Sequence, residues 1–314
     1  MLQDISPHIY HNPMSFLPPS AGDLVLAYTE GGVLARREAE LLQLPTVSQC
    51  PNVSGWTYAF SIDDVRYYLP QEVPQVPTFS PVSNYRANGP RETAFACAVG
   101  ESLSRWYAGN RFCGACGTPL AHSTLERAMV CPACGRTIYP KICPAVIVAV
   151  CHNDQLLLTK YAGRSFRRYA LVAGFNEIGE TIEQTVQREV LEETGLLVHH
   201  LRFYKSQPWV VSDSLLFGFF ADLAGPDVIR LQEDELAEAR WFPRAELPTD
   251  HSTDSLTGDR SLPGRYGTKI TQKAKKMSQF CFFPGGILET RWTFRYNISR
   301  LCGLPAGTQF PRII

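Results

Sequence analysis

The sequence lacks a charge excess, a long apolar run and a recognisable export signal. Its 30 Lys and Arg residues balance 30 Asp and Glu residues, so no overall field draws the protein to nucleic acid or to a membrane surface. The longest apolar stretch, near 144–151, is far shorter than the roughly 20 residues that cross a bilayer. No basic segment followed by an apolar one opens the chain, so we expect neither a signal peptide nor a membrane partner.

A disulfide framework is also not favoured, although the chain has 10 cysteines. Four of them are paired in a metal-binding pattern, and the others show no ligand spacing. Because no export signal is present, we expect a reduced, cytoplasmic compartment. The composition, 45% hydrophobic and 19% charged, is ordinary for a globular protein of two or three compact units.

Two cysteine pairs predict a zinc ribbon. Cys113 and Cys116 are followed, after fourteen intervening residues, by Cys131 and Cys134. One C-x-x-C knuckle lets two thiolates reach one ion, and two knuckles complete a tetrahedral site. Four protein ligands leave no open position, so we expect structural zinc. A redox dithiol and a nucleic-acid-binding ribbon are the alternatives.

The stretch 174–196 carries the charges that are expected to do chemistry. Glu189, Glu192 and Glu193 stand at i, i+3 and i+4, so the three carboxylates share one face of a predicted helix. Left unpaired, that face would repel itself. Oxygen-rich clusters of this kind suit hard divalent cations such as Mg²⁺.

The sequence also predicts where this helix begins and ends. Thr181 with Gln184 forms a capping-box pattern at its start, and Gly195 is a natural stop at its end. Residues at four-residue steps give it an apolar side that should face a sheet: Ile182, Val186 and Val190.

Apolar patterning predicts mixed strands and helices elsewhere. In the N-terminal part we expect strands at 56–60 and 65–69 and a helix over 93–107. Nearer the acidic helix we expect a second helical segment around Glu246 and strands at 145–150, 156–160, 169–173, 198–205, 215–221 and 239–242. Strands flanking a central helix predict an α/β (α+β) sandwich.

One long gapped signature resembles a known family. Gly174, five residues, Glu180, seven residues and then the run 188–196 match the Nudix box at every defined position. A four-cysteine ribbon directly before the box, and Ser206-Gln207-Pro208-Trp209 after it, resemble the NADH pyrophosphatase family of Nudix hydrolases. The resemblance covers about 105–247.

The resemblance implies a domain organisation. We expect an N-terminal mixed domain over 1–108, a zinc ribbon over 109–141 and a Nudix α/β/α sandwich over 142–258. The segment 259–314 is atypical and basic, with ten Lys or Arg residues against Asp259 and Glu289. It is either an appended segment that touches RNA or an aberrant C-terminus. The N-terminal domain is expected to support or dimerise the rest.

The resemblance also implies a reaction. Members of the family use Mg²⁺ or Mn²⁺ to split NAD(H) into NMN(H) and AMP, and some remove NAD caps from RNA. We therefore expect a dinucleotide substrate, NAD-capped RNA as a further substrate, and a homodimer in which Tyr139 reaches the neighbouring site.

Site residues follow from the same resemblance. Glu189 and Glu193 are expected as metal ligands together with the carbonyl of Ala173, and Glu235 as a further ligand, the alternative being a solvated helix charge. Glu192 is either metal-associated or the general base. Arg188 is expected to orient a glutamate, and Glu180 to fix the loop before the helix.

Substrate-binding residues are expected from two parts of the chain. Tyr139 and Phe175 match family aromatics that flank a planar base, with a core role as the alternative. The segment after the box contributes Gln207, Pro208, Trp209 and Ser214.

One departure from the family falls in this segment. The usual Pro-Phe-Pro after Trp209 is replaced by Val210-Val211-Ser212. This departure leaves open the hydrolysis of another nucleoside diphosphate derivative, such as ADP-ribose or a diadenosine compound. The ribbon and the basic tail leave open a second alternative, non-catalytic binding of nucleotide or RNA on a Nudix scaffold.

Overall fold

A computed structural model describes residues 2–38, 41–87, 89–163 and 168–247. The expected basic segment 259–314 lies outside the described residues. None of the helices in the described part of the chain is both long enough and apolar enough to cross a membrane.

The N-terminal region combines short strands with one long helix. Its strands are β1 (Tyr10–His11), β2 (Leu24–Val25), β3 (Tyr28–Thr29), β4 (Gly32–Glu38), β5 (Leu41–Gln43), β6 (Trp56–Ile62), β7 (Val65–Pro70) and β8 (Ser80–Val82). The antiparallel pair β6–β7 lies at the centre of the order β1-β6-β7-β2. The two strands predicted in this region are therefore confirmed.

Helix α1 (Arg91–Gly109) closes this region and confirms the helix predicted over 93–107. Phe95, Ala96 and Cys97 are buried in one cluster with Phe60 of β6 and with Leu26, which lies between β2 and β3. A short 3-10 helix, Tyr85–Ala87, precedes α1, and another spans Val47–Gln49. Helix α1 is stabilised because its apolar side packs against the sheet.

The cysteine-rich segment forms a small sheet, β9 (Ala121–His122), β10 (Met129–Val130) and β11 (Thr137–Ile138), in the order β11-β10-β9. Its two knuckles have matching geometry. Gly117 N donates to Cys113 O at 2.8 Å and Gly135 N donates to Cys131 O at 2.9 Å. Both glycines have φ of 73°, a conformation that favours glycine.

The larger sheet is built on β12 (Cys143–His152). Its other strands are β13 (Gln155–Tyr161), β14 (Val172–Phe175), β15 (Leu197–Trp209), β16 (Ser214–Ala224) and β17 (Leu236–Pro243), in the order β15-β16-β12-β13-β17 with β14 also paired to β12. Strand β12 runs parallel to β16 and antiparallel to β14. Residues 173–175 of β14 and 214–216 of β16 therefore lie at the same end of β12.

Two details differ from the sequence prediction. The strand expected at 169–173 is wrong in its start, because Ala170 makes only an isolated bridge to Thr159 and regular pairing with β12 begins at Val172. Gly174 therefore lies in a strand, not in a loop. The helical segment expected around Glu246 is a single 3-10 turn, Arg244–Glu246.

Helix α2 (Ile182–Thr194) packs across this sheet as the sequence predicted. The Thr181 side chain accepts from Gln184 N, the reciprocal bond of the capping box is present, and Gly195 ends the helix at φ 71°. Val186 and Val190 are fully buried in one cluster with strand residues such as Val146. The fold is mixed α/β, as expected.

Candidate active site and zinc site

The four cysteines converge on one point. Their Sγ atoms all lie within 4.8 Å of one another, with separations of 3.6 Å for Cys113–Cys134 and 3.5 Å for Cys116–Cys131. Zinc–thiolate bonds of about 2.3 Å in a tetrahedron place sulfurs about 3.8 Å apart. Backbone N–H groups of Ala115 and Cys116 lower the pKa of Cys113, which favours thiolate. The set fits a closed zinc site.

A cavity of about 610 Å³ lies at the junction of β14, α2 and the β15–β16 hairpin. This volume is in the range of small-molecule sites. Its lining joins carboxylates and aromatic rings to strand residues: Ala145, Val146, Ile147, Tyr161, Ala170, Leu171, Ala173, Gly174, Phe175, Glu177, Glu189, Glu193, Trp209, Ser212, Ser214, Leu216 and Glu235.

Arg188 is the centre of an ion-pair network beside this cavity. Its Nε and Nη2 donate to the two carboxylate oxygens of Glu180 at 2.6 and 3.0 Å. Its Nη1 donates to Glu189 at 2.8 Å and to Glu192 at 2.9 Å. Nη2 also reaches the carbonyl of Phe175 at 2.9 Å. One guanidinium thus ties α2 to the end of β14.

Glu180 is held by more than this ion pair. It accepts from Thr185 Oγ1 at 2.9 Å and from Glu177 N at 3.2 Å. Hydrogen bonds from Arg188, and then those from Thr185 and Glu177, lower the pKa of Glu180 to about 2. These contacts match the loop-fixing position expected for Glu180.

Gly174 makes room for the Glu189 carboxylate. A Cβ at Gly174 would lie 1.9 Å from Glu189 Cδ, far inside van der Waals contact. Gly174 does not belong to the glycines of the described residues that have a positive φ. The requirement for glycine at this position is therefore steric and not conformational. The box glycine and the box glutamate therefore form one structural unit.

The glutamates expected around a metal are not equivalent. Glu193 is 3% exposed and lines the cavity. The Glu189 side chain is 13% exposed, and burial raises its pKa, with the charges of Glu192 and Glu235 adding to the rise. Glu192 is 52% exposed and is not part of the lining. Glu235 lies in the turn before β17, not on a helix.

These carboxylates lie around the cavity without forming a tight cluster. Within the described ranges, the cysteines are the one set of three or more His, Cys, Asp or Glu residues with ligand atoms mutually within 4.8 Å. Arg188 accounts for part of this spacing, because its Nη1 contacts both Glu189 and Glu192. The lining side chains that could bind a metal nevertheless all present oxygen atoms, the ligands that hard cations prefer.

The expected substrate residues divide into two groups. Phe175, Trp209 and Ser214 line the cavity. Gln207 is buried and Pro208 is exposed, and neither belongs to the lining. Tyr139 is 57% exposed and donates to Glu126 of the ribbon at 2.9 Å, outside the cavity of its own chain.

Comparisons with known proteins fit this arrangement. Residues 141–260 match the NUDIX domain family. The chain carries a Nudix domain. Directly before it, residues 109–139 match the NADH pyrophosphatase zinc ribbon domain, so the Nudix domain follows a ribbon of this type, as the resemblance implied.

Curated relatives match about half of this chain. The NAD-capped RNA hydrolase NudC of Pasteurella multocida is 44% identical over 155 residues, covering 48% of this chain and 58% of that protein. The protein of the same name from Actinobacillus succinogenes is 42% identical, covering 51% and 65%. The chain thus spans less than two thirds of these relatives. A solved NUDIX hydrolase from Nitrosomonas europaea is 27% identical, with a TM-score of 0.42, covering 52% of this chain and 93% of that chain.

Some cavity residues were not expected from the sequence. Tyr161, at the end of β13, and Glu177, within the box, both line the cavity. Glu177 stands between the fixed box positions Gly174 and Glu180, and this place was an available signal. For Tyr161 the sequence offers no signal, because its approach depends on how the strands are ordered.

Proposed function

We propose that this protein is a metal-dependent diphosphatase that hydrolyses the pyrophosphate of NAD(H) to NMN(H) and AMP. The observation that supports the proposal is the cavity itself, in which Glu189, Glu193 and Glu235 share one lining with Trp209 and Ser214. Oxygen donors suit a divalent ion, and aromatic and hydroxyl groups suit a nucleotide. NAD-capped RNA, the substrate named in the curated relatives, is our proposed second substrate.

The residues that would hold Mg²⁺ or Mn²⁺ are Glu189, Glu193, Glu235 and the carbonyl of Ala173. A bound divalent ion would neutralise phosphate charge and lower the pKa of a coordinated water. Glu192, which is 52% exposed, is assigned as a metal-associated group or the general base. Zinc on the four cysteines is assigned a structural role.

The chain's own residues prepare the site. Arg188 fixes the carboxylates of Glu189 and Glu192 and anchors them to Glu180, so it acts as a positioning residue. Phe175 and Trp209 supply ring faces on which a base can stack, at about 1–3 kcal/mol per base. Ser212 and Ser214, whose hydroxyl oxygens are 2.9 Å apart, supply polar groups to the same cavity.

The decisive test is product analysis. Purified protein is incubated with NADH and either Mg²⁺ or Mn²⁺, and the products are separated by chromatography. NMNH and AMP in equal amounts are expected. Release of nicotinamide, or no metal-dependent product at all, contradicts the proposal, and metal-dependent release of AMP excludes the non-catalytic alternative.

A second candidate is favoured by Val210-Val211-Ser212, the departure from the family at the cavity. It is hydrolysis of another nucleoside diphosphate derivative. Values of kcat/KM for NADH, NAD⁺, ADP-ribose and diadenosine compounds separate the two functions. A clear preference for ADP-ribose or a diadenosine compound would replace the first proposal.

We further propose a cytoplasmic homodimer. Tyr139 supports this proposal because its exposed ring lies with the ribbon and outside the cavity of its own chain. Light scattering coupled to size exclusion measures the mass directly. A monomer at micromolar concentration contradicts the dimer and leaves the role of Tyr139 without support.

A further inference from the structure

The turn between β15 and β16 is fastened to the N-terminal region. Arg105 Nη2, on α1, donates to Val210 O at 2.7 Å and to Asp213 Oδ1 at 2.8 Å. Ser102, one helical turn earlier, donates to the same Asp213 oxygen at 2.6 Å. Val210 packs against the N-terminal hydrophobic core. The sequence separation of these partners exceeds one hundred residues.

The residue at the centre of these contacts has an unusual backbone. Asp213 has φ of 53°, the left-handed region that only a few non-glycine residues enter readily. Its carbonyl accepts from Cys143 N at 2.7 Å at the start of β12. Such conformations cost free energy and persist where surrounding contacts over-determine them. Arg105 and Ser102 supply those contacts.

The same turn carries part of the cavity lining. Trp209 and Ser214 are paired across the hairpin, and both line the cavity together with Ser212. Ser212 N donates to Trp209 O at 3.3 Å. Arg86, beside α1, lies 5.9 Å from the Trp209 ring centroid. A shift of Asp213 would therefore move Trp209, Ser212 and Ser214 together.

We propose that α1 of the N-terminal region sets substrate binding in the Nudix cavity, with Arg105 as the positioning residue. The proposal rests on the diphosphatase function. Within the described residues, the printed polar partners of Arg105 are Val210, Val211 and Asp213 of the turn and Glu101 of its own helix. The cavity residue Glu189 is instead held by Arg188. Loss of Arg105 should weaken binding of the nucleotide and leave the rate of the chemical step nearly unchanged.

A purely structural role for Arg105 would predict a clear fall in melting temperature when the side chain is removed, and its contacts do not favour that role. The Arg105 and Asp213 side chains are 41% and 28% exposed, and ion pairs this exposed contribute little to stability. Arg105 also lies 3.7 Å from Glu101 on its own helix. The melting temperature of Arg105→Ala should therefore change little, while displacement of the 209–214 turn raises KM.

The test compares Arg105→Ala with Arg91→Ala, which removes the same charge from the first turn of α1. Steady-state kinetics with NADH should give a KM about 5- to 10-fold higher for Arg105→Ala and a kcat within about twofold of wild type. Arg91→Ala should match wild type. Asp213→Asn keeps the acceptor and tolerates the left-handed backbone, so it should fall between wild type and Asp213→Ala.

Hydrogen–deuterium exchange gives a readout that does not depend on turnover. Peptides covering 206–216 should exchange faster in Arg105→Ala than in Arg91→Ala, and Arg105→Lys should be intermediate because it keeps the charge without the branched donor. Exchange and KM values equal to those of Arg91→Ala overturn the inference, as does a fall in kcat at unchanged KM. A wild-type protein that hydrolyses no dinucleotide overturns the proposed function instead, and exchange then decides the positioning role alone.

Discussion

Two parts of the cavity lining are built in different ways. The acidic segment, residues 173–195, holds its own geometry: Arg188 donates to both Glu180 and Glu189, and Gly174 leaves room for the Glu189 carboxylate. The 209–214 turn depends on Ser102 and Arg105 of a distant helix. We infer that the α2 glutamates proposed for chemistry are locally encoded, whereas Trp209 and Ser214, proposed for substrate binding, are set by another region.

The largest effect is expected in the acidic segment. Glu193→Gln replaces a buried carboxyl group of the cavity with an amide of nearly the same shape, which is a poor ligand for a divalent ion, so kcat with NADH should fall about a thousandfold or more. The matched control is Glu183→Gln, an exposed acid in the first turn of the same helix. Near-normal kcat for Glu193→Gln would remove this residue from the proposed metal set.

A smaller effect is expected from substitution of Gly174, which lies against the Glu189 carboxylate. In Gly174→Ala the new methyl group overlaps Glu189 Cδ at 1.9 Å, and the flexible side chain must move away. Misplacement of this kind can cost about a hundredfold in rate, whereas the melting temperature should fall little. Gly22→Ala, where nothing lies within 4 Å of the added Cβ, is the control. Full activity of Gly174→Ala would show that the Glu189 position is not needed.

The smallest effect concerns the support of the acidic segment. The folded pKa of Glu180 is about 2 against an ordinary value of 4.5, so its stabilising contribution is fully present above about pH 5 and is lost as the pH falls from 4.5 towards 2. The melting-temperature difference between wild type and Glu180→Gln should be constant at neutral pH and narrow below pH 5. A difference that stays constant to about pH 3 contradicts the assignment.

The same division between contacts of neighbouring residues and contacts of residues far apart in the sequence explains what the sequence could predict. Helix α2 could be read directly because its cap, its stop and its apolar side are written within fifteen residues of one another, at Thr181, Gly195 and Val186. The zinc site could be read because each knuckle is local. The strands at 56–62 and 65–70 follow from alternation along a single hairpin.

The remaining features depend on contacts between distant residues. Nothing at Arg105 or Asp213 in the sequence signals that they meet, since 108 positions separate them. Tyr139 near a base stays a prediction of the resemblance, because within its own chain the ring lies outside the cavity and its hydroxyl donates to Glu126. The start of β14 was predicted wrongly because Ala170 and Val172 are both apolar. Their pairing partners, Thr159 and Val148, distinguish them only in the folded chain.

The most direct measurement is the kinetics of Glu193→Gln and Arg105→Ala side by side, with NADH as substrate and Mg²⁺ present. The first variant should lose kcat with KM changed by less than about threefold, and the second should gain KM with kcat nearly unchanged. The same parameter changing in both variants, or no change in Arg105→Ala, would contradict a locally encoded chemical segment and a separately positioned binding turn.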